Sequence, residues 1–121
     1  MKILIAEDSA TIRRLVVARL TADGYDVVEA ADGEEAMVLA QRELPDLLVL
    51  DKVMPKLDGF AVARALREDP RTRAIPIVML TEPAGEGERL GSLAVAEYLP
   101  KPFSSQELSA RIRSTLARPR P

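Results

Sequence analysis

Short aliphatic segments alternate with helical segments along the whole of this 121-residue chain. Clusters of β-branched and other aliphatic residues between turn residues predict strands. Five such clusters are Lys2 to Ala6, Tyr25 to Ala30, Asp46 to Leu50, Pro76 to Leu80 and, more weakly, Glu97 to Leu99. The run Leu47 to Leu50 has no polar alternation, which is typical of a strand buried on both faces of a parallel sheet.

The segments between the predicted strands carry apolar residues at the spacing of one helix face. Three such faces are Ile12, Leu15, Val16 and Leu20; Ala36, Leu39 and Ala40; and Phe60, Ala63 and Leu66. Asp32 with Glu35, and Ser104 with Glu107, have the spacing of an N-terminal capping box. Since parallel strands need helical crossovers, the alternation predicts an α/β fold in which five βα units form a three-layer sandwich.

A chain of this length forms a single domain with one sizeable core. We expect the domain to cover residues 1–118. The last three residues, 119–121, are expected to be a C-terminal tail or the stub of a linker, because the proline-rich end cannot continue a helix.

The composition excludes several classes of function. Lys and Arg total 17 against 19 Asp and Glu, which gives no electrostatic reason to expect direct nucleic-acid binding. No apolar stretch approaches the roughly 20 residues that span a bilayer, and the start does not resemble a signal peptide, so we expect a cytoplasmic protein without a membrane partner. Cysteine and histidine are absent from the sequence, and the remaining oxygen and amine groups favour hard cations such as Mg²⁺.

Reactive side chains follow the predicted strands. They are Glu7 and Asp8 after the first strand, Asp51 after the third, Thr81 after the fourth and Lys101 after the fifth. Ligands of open α/β sheets bind at the carboxyl ends of the strands, so these groups are expected to converge. Neighbouring carboxylates repel one another unless a cation compensates them, and Mg²⁺ is the natural cation. With a lysine and a hydroxyl nearby, the set suits phosphoryl transfer, with Asp51 as the nucleophile that forms an acyl phosphate.

Each of these residues also has a purely structural interpretation. Asp51 could cap the next segment, and Glu7 with Asp8 could place negative charge at the start of the first helix. Thr81 could be a structural strand end, and Lys101 a solvated lysine before a turn. The joint pattern favours a site, because separate strand ends each present a group that the chemistry needs.

Longer motifs surround these residues. They are Glu7-Asp8, Asp51 with Met54-Pro55 and Asp58-Gly59, Leu80-Thr81, and Tyr98-Leu99-Pro100-Lys101-Pro102-Phe103. With these motifs in this order, essentially the whole chain resembles the receiver domain of two-component response regulators, the chemotaxis-regulator-like family. The resemblance implies a flavodoxin-like fold with a five-stranded parallel sheet of order 2-1-3-4-5.

The resemblance also implies a role in signalling. Asp51 would accept a phosphoryl group from the phosphohistidine of a sensor histidine kinase or phosphotransfer protein, or from a small phosphodonor. Mg²⁺, with Mn²⁺ as a substitute, would be bound by Asp8, Asp51 and the Val53 carbonyl, with Glu7 acting through water. Lys101 would pair with the incoming phosphate. Such a domain catalyses its own phosphorylation and is not otherwise an enzyme.

Members of this family couple phosphorylation to a change of surface. The modification adds about −1.5 to −2 charge; Thr81 would move to bond the phosphoryl group, and Tyr98 would turn from an exposed to a buried rotamer. The bond between Lys101 and Pro102 would be cis. The output would be binding of a downstream protein through the face of the fourth helix, the fifth strand and the fifth helix.

Departures from the family pattern concern the segment after the fourth strand. Glu82 stands where the family usually has alanine or glycine, and would hinder access to the pocket. Val53 and Pro83 occupy the positions that usually tune dephosphorylation, and neither can position a water, so we expect slow autodephosphorylation. Three glycines follow before residue 92, and each disfavours helix by about 1 kcal/mol, which predicts a short or irregular fourth helix.

Three other functions share parts of this pattern. A hydrolase with an aspartate nucleophile, such as a haloacid-dehalogenase-like phosphatase, needs a second acid where this chain has Val53. A pseudo-receiver that only binds protein is disfavoured by the intact acids and lysine, although Glu82 keeps it as the main alternative. A flavin-binding flavodoxin would need a Ser/Thr/Gly-rich phosphate loop after the first strand.

Overall fold

The computed structural model describes residues 1–56, 58–81 and 95–119. Its strands are β1 (Lys2–Ala6), β2 (Asp26–Ala30), β3 (Leu47–Asp51), β4 (Ile77–Thr81) and β5 (Glu97–Pro100). Its helices are α1 (Ala10–Ala22), α2 (Gly33–Glu43), α3 (Gly59–Glu68) and α4, the C-terminal helix (Ser105–Ala117). The predicted irregular helix, with Glu82 and Pro83, lies outside the described residues. No helix within the described ranges is long and apolar enough to cross a membrane.

The five strands form one parallel sheet of order β2-β1-β3-β4-β5. β1 lies between β2 and β3, so that Ala6 is in register with Ala30 on one side and with Leu50 on the other. The carboxyl ends of β1 and β3 therefore lie next to each other. This order confirms the predicted flavodoxin-like fold.

Successive strand residues point to opposite faces of the sheet and divide the core into two layers. Leu4 and Leu48 are fully buried in the layer with α2 and α3. Ile3 and Leu47 are fully buried in the layer with α1 and the C-terminal helix. The sheet is thus covered on both faces, as the run of apolar residues in β3 predicted.

One residue of α1 differs from its predicted environment. Val16 and Leu20 are buried and Ile12 is half-buried, but Leu15 is 65% exposed. Ile12, Val16 and Leu20 recur every four residues and form the stripe that packs on the sheet, whereas Leu15 lies beside that stripe. There it lines an open cavity of about 450 Å³ next to Phe103. Leu15 therefore shares a face of α1 with Ile12 and Val16, as its spacing predicted, but it is not buried.

Side-chain caps fix the start of every described helix. The capping oxygens belong to Ser9, Asp32, Asp58 and Ser104. Ser104 and Glu107 form both halves of the predicted capping box. Asp32 accepts the Glu35 N–H, but the Glu35 carboxylate accepts the N–H of Ala31 at 2.7 Å, one residue earlier than in the standard box. These caps place the helix starts close behind the carboxyl ends of the strands.

Candidate functional site

The carboxyl ends of β1 and β3 meet at a cluster of three acids. Because Ala6 is in register with Leu50, the residues that follow β1 lie beside Asp51. Glu7, Asp8 and Asp51 each contribute one carboxylate oxygen to a group in which all lie within 4.8 Å of one another. Asp51 is the last residue of β3 rather than the first after it, which fixes its main chain in the sheet.

The three acids differ in exposure. Glu7 is 1% exposed and Asp51 is 4% exposed, whereas Asp8 is open to solvent. Glu7 Oε2 accepts the main-chain N–H of Ser9 at 3.2 Å, but its buried Oε1 accepts no hydrogen bond within the described part of the chain. A buried acceptor without a donor is costly, so Glu7 does more than place charge at the start of α1.

Lys101 supplies the positive charge of the pocket. Its Nζ donates to Asp51 Oδ1 at 3.1 Å. The same Nζ lies 3.3 Å from Glu7 Oε1, without the geometry of a hydrogen bond. The lysine side chain is 19% exposed, so these charges interact in a partly desolvated space. One ammonium thus faces two buried carboxylates, which leaves an excess of negative charge when all the acids are ionised.

This crowding changes the acidity of the pocket. Burial, followed by the neighbouring Asp51 carboxyl, raises the pKa of Glu7 from 4.5 to about 7, while the Ser9 N–H and the Lys101 charge act in the opposite direction. Burial lowers the pKa of Lys101, but the Asp51 and Glu7 carboxylates outweigh burial and raise it above the ordinary value of 10.5. Near neutral pH, Glu7 therefore gains and loses a proton while Lys101 stays charged.

A short loop after Asp51 forms the next wall of the pocket. The Val53 N–H donates to Asp51 Oδ1 at 3.4 Å, and the Val53 side chain is 61% exposed. The Gly59 N–H donates to the Lys52 carbonyl at 2.9 Å. A Cβ at Gly59 would lie 2.5 Å from the main-chain oxygen of Asp51. Glycine therefore lets α3 begin in direct contact with the strand that carries the acid.

Thr81 and Tyr98 lie on the neighbouring strands β4 and β5. Thr81 is the last residue of β4 and is 7% exposed, and its carbonyl accepts the Lys101 N–H at 2.7 Å. The Tyr98 hydroxyl is buried without a hydrogen-bond partner among the described residues, and burial raises its pKa. The bond between Lys101 and Pro102 is cis, the isomer that the family resemblance implied. Thr81 thus adjoins the pocket, and Tyr98 lies further back along the sheet.

Sequence reasoning missed Arg13 on α1. Its Nη1 donates to the main-chain carbonyl of Glu7 at 2.6 Å, and its Nε donates to Glu29 Oε1 at 3.3 Å. In the sequence Arg13 reads as an ordinary polar residue on the solvent side of α1. The one available signal was its place in the first turns of the helix that follows Glu7 and Asp8.

The pocket fits a hard divalent cation. Mg²⁺ takes carboxylate and main-chain oxygens together with several waters, and the chain has no cysteine or histidine to favour a softer metal. Glu7, Asp8 and Asp51 can each offer one carboxylate oxygen to such a cation. The orphaned Oε1 of Glu7 is a suitable acceptor for a cation-bound water.

The fold and the pocket together define a flavodoxin-like domain with an acidic site at the carboxyl edge of its sheet. The family described as the response regulator receiver domain matches residues 3–113. The chain therefore belongs to the response regulator receiver domain family and is a receiver domain of the two-component type.

Relatives share both the sequence and the fold. The probable transcriptional regulator ycf27 of Porphyridium aerugineum is 49% identical over 119 residues, which are 97% of this chain and 48% of that protein. The chain thus spans about half the length of the curated relatives it matches first. Chemotaxis response regulator CheY4 of Vibrio cholerae superposes with a TM-score of 0.89 at 32% identity, over 94% of this chain and 97% of that one.

A second solved structure is similar and contains a metal. It is the receiver domain of the sensor histidine kinase PA1611 from Pseudomonas aeruginosa PAO1, with a TM-score of 0.89 and 32% identity over 97% of this chain and 98% of that one. That structure has a magnesium ion coordinated in its active site cleft. The likeness covers the whole of both domains.

Proposed function

We propose that Asp51 is the phosphoacceptor of this receiver domain. The observation that carries the proposal is the hydrogen bond of 3.1 Å from Lys101 Nζ to Asp51 Oδ1, on a carboxylate that is 4% exposed. A desolvated carboxylate keeps its charge only beside a compensating group. Here that group is also placed to stabilise the negative charge of an incoming phosphoryl group.

Mg²⁺ is the proposed cofactor, with Mn²⁺ as a substitute. Asp8, Asp51 and the Val53 carbonyl would hold the cation directly, and Glu7 would hold it through water. When bound, the cation supplies positive charge to the phosphoryl oxygens during transfer. The support is the group of carboxylate oxygens within 4.8 Å and the Glu7 Oε1, which accepts no hydrogen bond within the described residues, together with the magnesium in the cleft of the PA1611 receiver domain.

The proposed donor is the phosphohistidine of a sensor histidine kinase or a phosphotransfer protein, or a small phosphodonor. A carboxylate oxygen of Asp51 attacks phosphorus, the bond from phosphorus to the donor nitrogen breaks, and the electron pair stays on the histidine. Lys101 then pairs with a phosphoryl oxygen, and the Thr81 hydroxyl donates to another. The product is an aspartyl phosphate on Asp51.

The proposed output is a phosphorylation-dependent protein-binding surface. β5 and the C-terminal helix form its described part, and the segment before β5 would complete it. Thr81 would approach the phosphoryl group and Tyr98 would respond to that movement, so that the phosphate biases a two-state packing arrangement. This domain would work in the cytoplasm and contact protein rather than nucleic acid.

Incubation with Mg²⁺ and acetyl phosphate, followed by intact mass spectrometry, tests the phosphoacceptor. We expect one phosphoryl adduct on the wild-type chain and none on Asp51→Asn. Asp26→Asn, which alters an exposed acid at the opposite edge of the sheet, should keep the adduct. An adduct that survives Asp51→Asn contradicts the proposal. Sustained turnover of the phosphodonor would indicate a hydrolase. The absence of an adduct, together with no response to beryllofluoride, would indicate a pseudo-receiver.

The lifetime of the adduct tests the proposed slow autodephosphorylation. Val53 presents an exposed apolar side chain beside Asp51, and such a side chain cannot orient a water for attack on phosphorus. The adduct should therefore persist for many minutes after the phosphodonor is removed, with Mg²⁺ present and no phosphatase. A half-life of seconds would contradict this, and Val53→Glu should shorten the lifetime because a carboxylate can bind the attacking water.

A further inference from the structure

Arg13 joins α1 to the acid pair that follows β1. Its Nη1 donates to the main-chain oxygen of Glu7 at 2.6 Å. Its Nε donates to Glu29 Oε1 on β2 at 3.3 Å. The Arg13 side chain is 20% exposed, and its guanidinium is held between one carboxylate and one carbonyl. Two hydrogen bonds in fixed directions suit the planar fork of arginine and not the single ammonium of lysine.

The carbonyl that Arg13 holds belongs to the peptide unit that leads to Asp8. A peptide unit is planar, so the Glu7 carbonyl and the nitrogen and Cα of Asp8 move together. The other peptide unit of Glu7 is anchored in the sheet, because its N–H donates to the Ala30 carbonyl at 3.2 Å. The Arg13 contact therefore fixes the orientation of the main chain from which the Asp8 side chain projects.

Asp8 has little else to hold it. Its side chain is exposed and makes no hydrogen bond or ion pair within the described ranges. Its direction toward Asp51 depends on the main chain alone. We propose that Arg13 is a positioning residue for the Asp8 carboxylate, which it aims into the pocket as a ligand for a hard divalent cation. The proposal rests on the proposed metal site.

The charge and the hydrogen bond of Arg13 have opposite effects on cation binding. A positive guanidinium near the acids repels a divalent cation, so its removal by electrostatics alone would tighten binding. Loss of the hydrogen bond would leave the Glu7 carbonyl, and with it the peptide unit that leads to Asp8, without that side-chain anchor. Cation binding would then weaken, as loss of groups that orient metal ligands does by about tenfold or more. The sign of the change therefore separates a positioning role from a merely electrostatic one.

Titration with Mn²⁺, followed by electron paramagnetic resonance of the free ion and by competition with Mg²⁺, measures this sign. Arg13→Gln should weaken binding of both cations by about tenfold. Arg13→Lys keeps the charge and one donor and should recover part of the affinity. Arg14→Gln is the matched control, because Arg14 is the exposed neighbour on the same helix; its affinity should stay within twofold of the wild type. Binding to Arg13→Gln as tight as to the wild type overturns the proposal.

Two further measurements exclude a general loss of structure. Glu29→Gln leaves the pocket intact and removes only the partner that orients Arg13, so it should weaken Mn²⁺ binding by a smaller factor than Arg13→Gln. In the metal-free protein, the amide resonance of Asp8 should shift in Arg13→Gln and stay in place in Arg14→Gln. An unshifted Asp8 resonance in Arg13→Gln counts against the positioning role.

The metal titration also separates this proposal from the proposed function. A wild-type chain that binds no Mn²⁺ or Mg²⁺ overturns both. A wild-type chain that binds the cations and forms the Asp51 adduct, while Arg13→Gln binds them equally well, overturns the role of Arg13 alone. A third outcome is a wild-type chain that binds metal but forms no adduct, while Arg13→Gln binds the metal more weakly. It supports the positioning role of Arg13 and contradicts the proposal that Asp51 is the phosphoacceptor.

Discussion

The two edges of the sheet treat their charges in opposite ways. At the amino edge, Lys2 Nζ lies 2.9 Å from Glu43 Oε1, and the Lys2 N–H donates to Asp46 Oδ2 at 2.8 Å. A hydrogen bond from Lys2, followed by one from Arg42, lowers the pKa of Glu43. At the carboxyl edge, burial and a second carboxyl raise the pKa of Glu7, and one of its oxygens has no donor within the described residues.

This difference separates charged groups that pair with one another and stabilise the fold from charged groups that remain available to a ligand. A half-buried pair such as Lys2 with Glu43 satisfies both partners and needs nothing more. The carboxyl edge holds more buried negative charge than Lys101 can compensate, which costs stability unless a cation or a proton is added. A buried, under-compensated cluster of this kind is typical of a functional site.

The glycines of the two edges provide the largest expected contrast. Gly59→Ala should lower the free energy of unfolding by about 3 kcal/mol, because the new Cβ would lie 2.5 Å from the main-chain oxygen of Asp51. Gly24→Ala, near the amino edge, adds a Cβ with no atom within 4 Å and meets only the strain of a φ of +96°, which costs about 1 kcal/mol. Urea unfolding of both variants measures the contrast. Equal losses would contradict the close approach at Gly59.

The lysines of the two edges provide the second contrast. Lys101→Met should lower the free energy of unfolding by about 2 kcal/mol at pH 8, because Asp51 and Glu7 would remain buried without their cation. Lys2→Met should change it by less, about 1 kcal/mol at most, since both side chains of the pair with Glu43 reach solvent and such ion pairs contribute little. Thermal and urea unfolding of the metal-free proteins compare them. A larger loss of stability from Lys2→Met than from Lys101→Met would contradict the conclusion that the carboxyl edge holds the under-compensated charges.

The pH dependence of Glu7 provides a third test. Its pKa is about 7 in the folded protein against an ordinary 4.5, so between these values the folded state holds more protons than the unfolded state. Stability from this group is therefore complete at low pH and is lost as pH rises through about 7. Between pH 6 and 8 the wild type should lose about 1 kcal/mol that Glu7→Gln does not lose.

The comparison is made in chelator, by urea unfolding of both proteins at each pH. Acids outside the pocket titrate alike in the two chains and cancel in the difference, so the remaining pH dependence belongs to Glu7 and the groups that it contacts. If the difference in unfolding free energy between the wild type and Glu7→Gln stayed constant from pH 6 to pH 8, Glu7 would be ionised throughout this range. Burial would then not govern the pKa of Glu7.

Tyr98 provides the smallest expected effect. Its buried hydroxyl has no hydrogen-bond partner in the described part of the chain, so Tyr98→Phe should raise the free energy of unfolding by about 0.5 kcal/mol. Tyr25→Phe is the control, because Tyr25 is the other tyrosine of the chain and lies near the amino edge. A clear loss of stability in Tyr98→Phe would mean that the hydroxyl has a partner that the described residues do not include.

The acidic pocket was predictable from residue types at strand ends, whereas the strand order was implied by the resemblance to receiver domains. Parallel strands bring their carboxyl ends to one edge, so Asp8, Asp51 and Lys101 could be placed together from their positions alone. The confirmed fold and family agree with that placement. The roles of the individual side chains stay predictions.

Other features depend on packing that local sequence does not encode. Spacing places Leu15 on the apolar face of α1, yet the packing of α1 on the sheet leaves it 65% exposed. Glu7 reads as the equal of Asp8, yet the main-chain turn after β1 buries one and exposes the other. The hydrogen bond from Arg13 to Glu29 joins a helix to a neighbouring strand, and no local sequence spacing predicts it.

The position of β1 between β2 and β3 has a consequence for folding. β1 joins β3 only after the chain has passed through α1, β2 and α2, so Glu7 and Asp51 come from distant parts of the sequence and no local fragment contains the pocket. A cation that binds this pocket then binds the native chain and not the unfolded one. At a hundredfold excess over its dissociation constant it would stabilise the domain by about 2.7 kcal/mol. The free Mg²⁺ concentration around this domain would therefore act on its lifetime as well as on its chemistry.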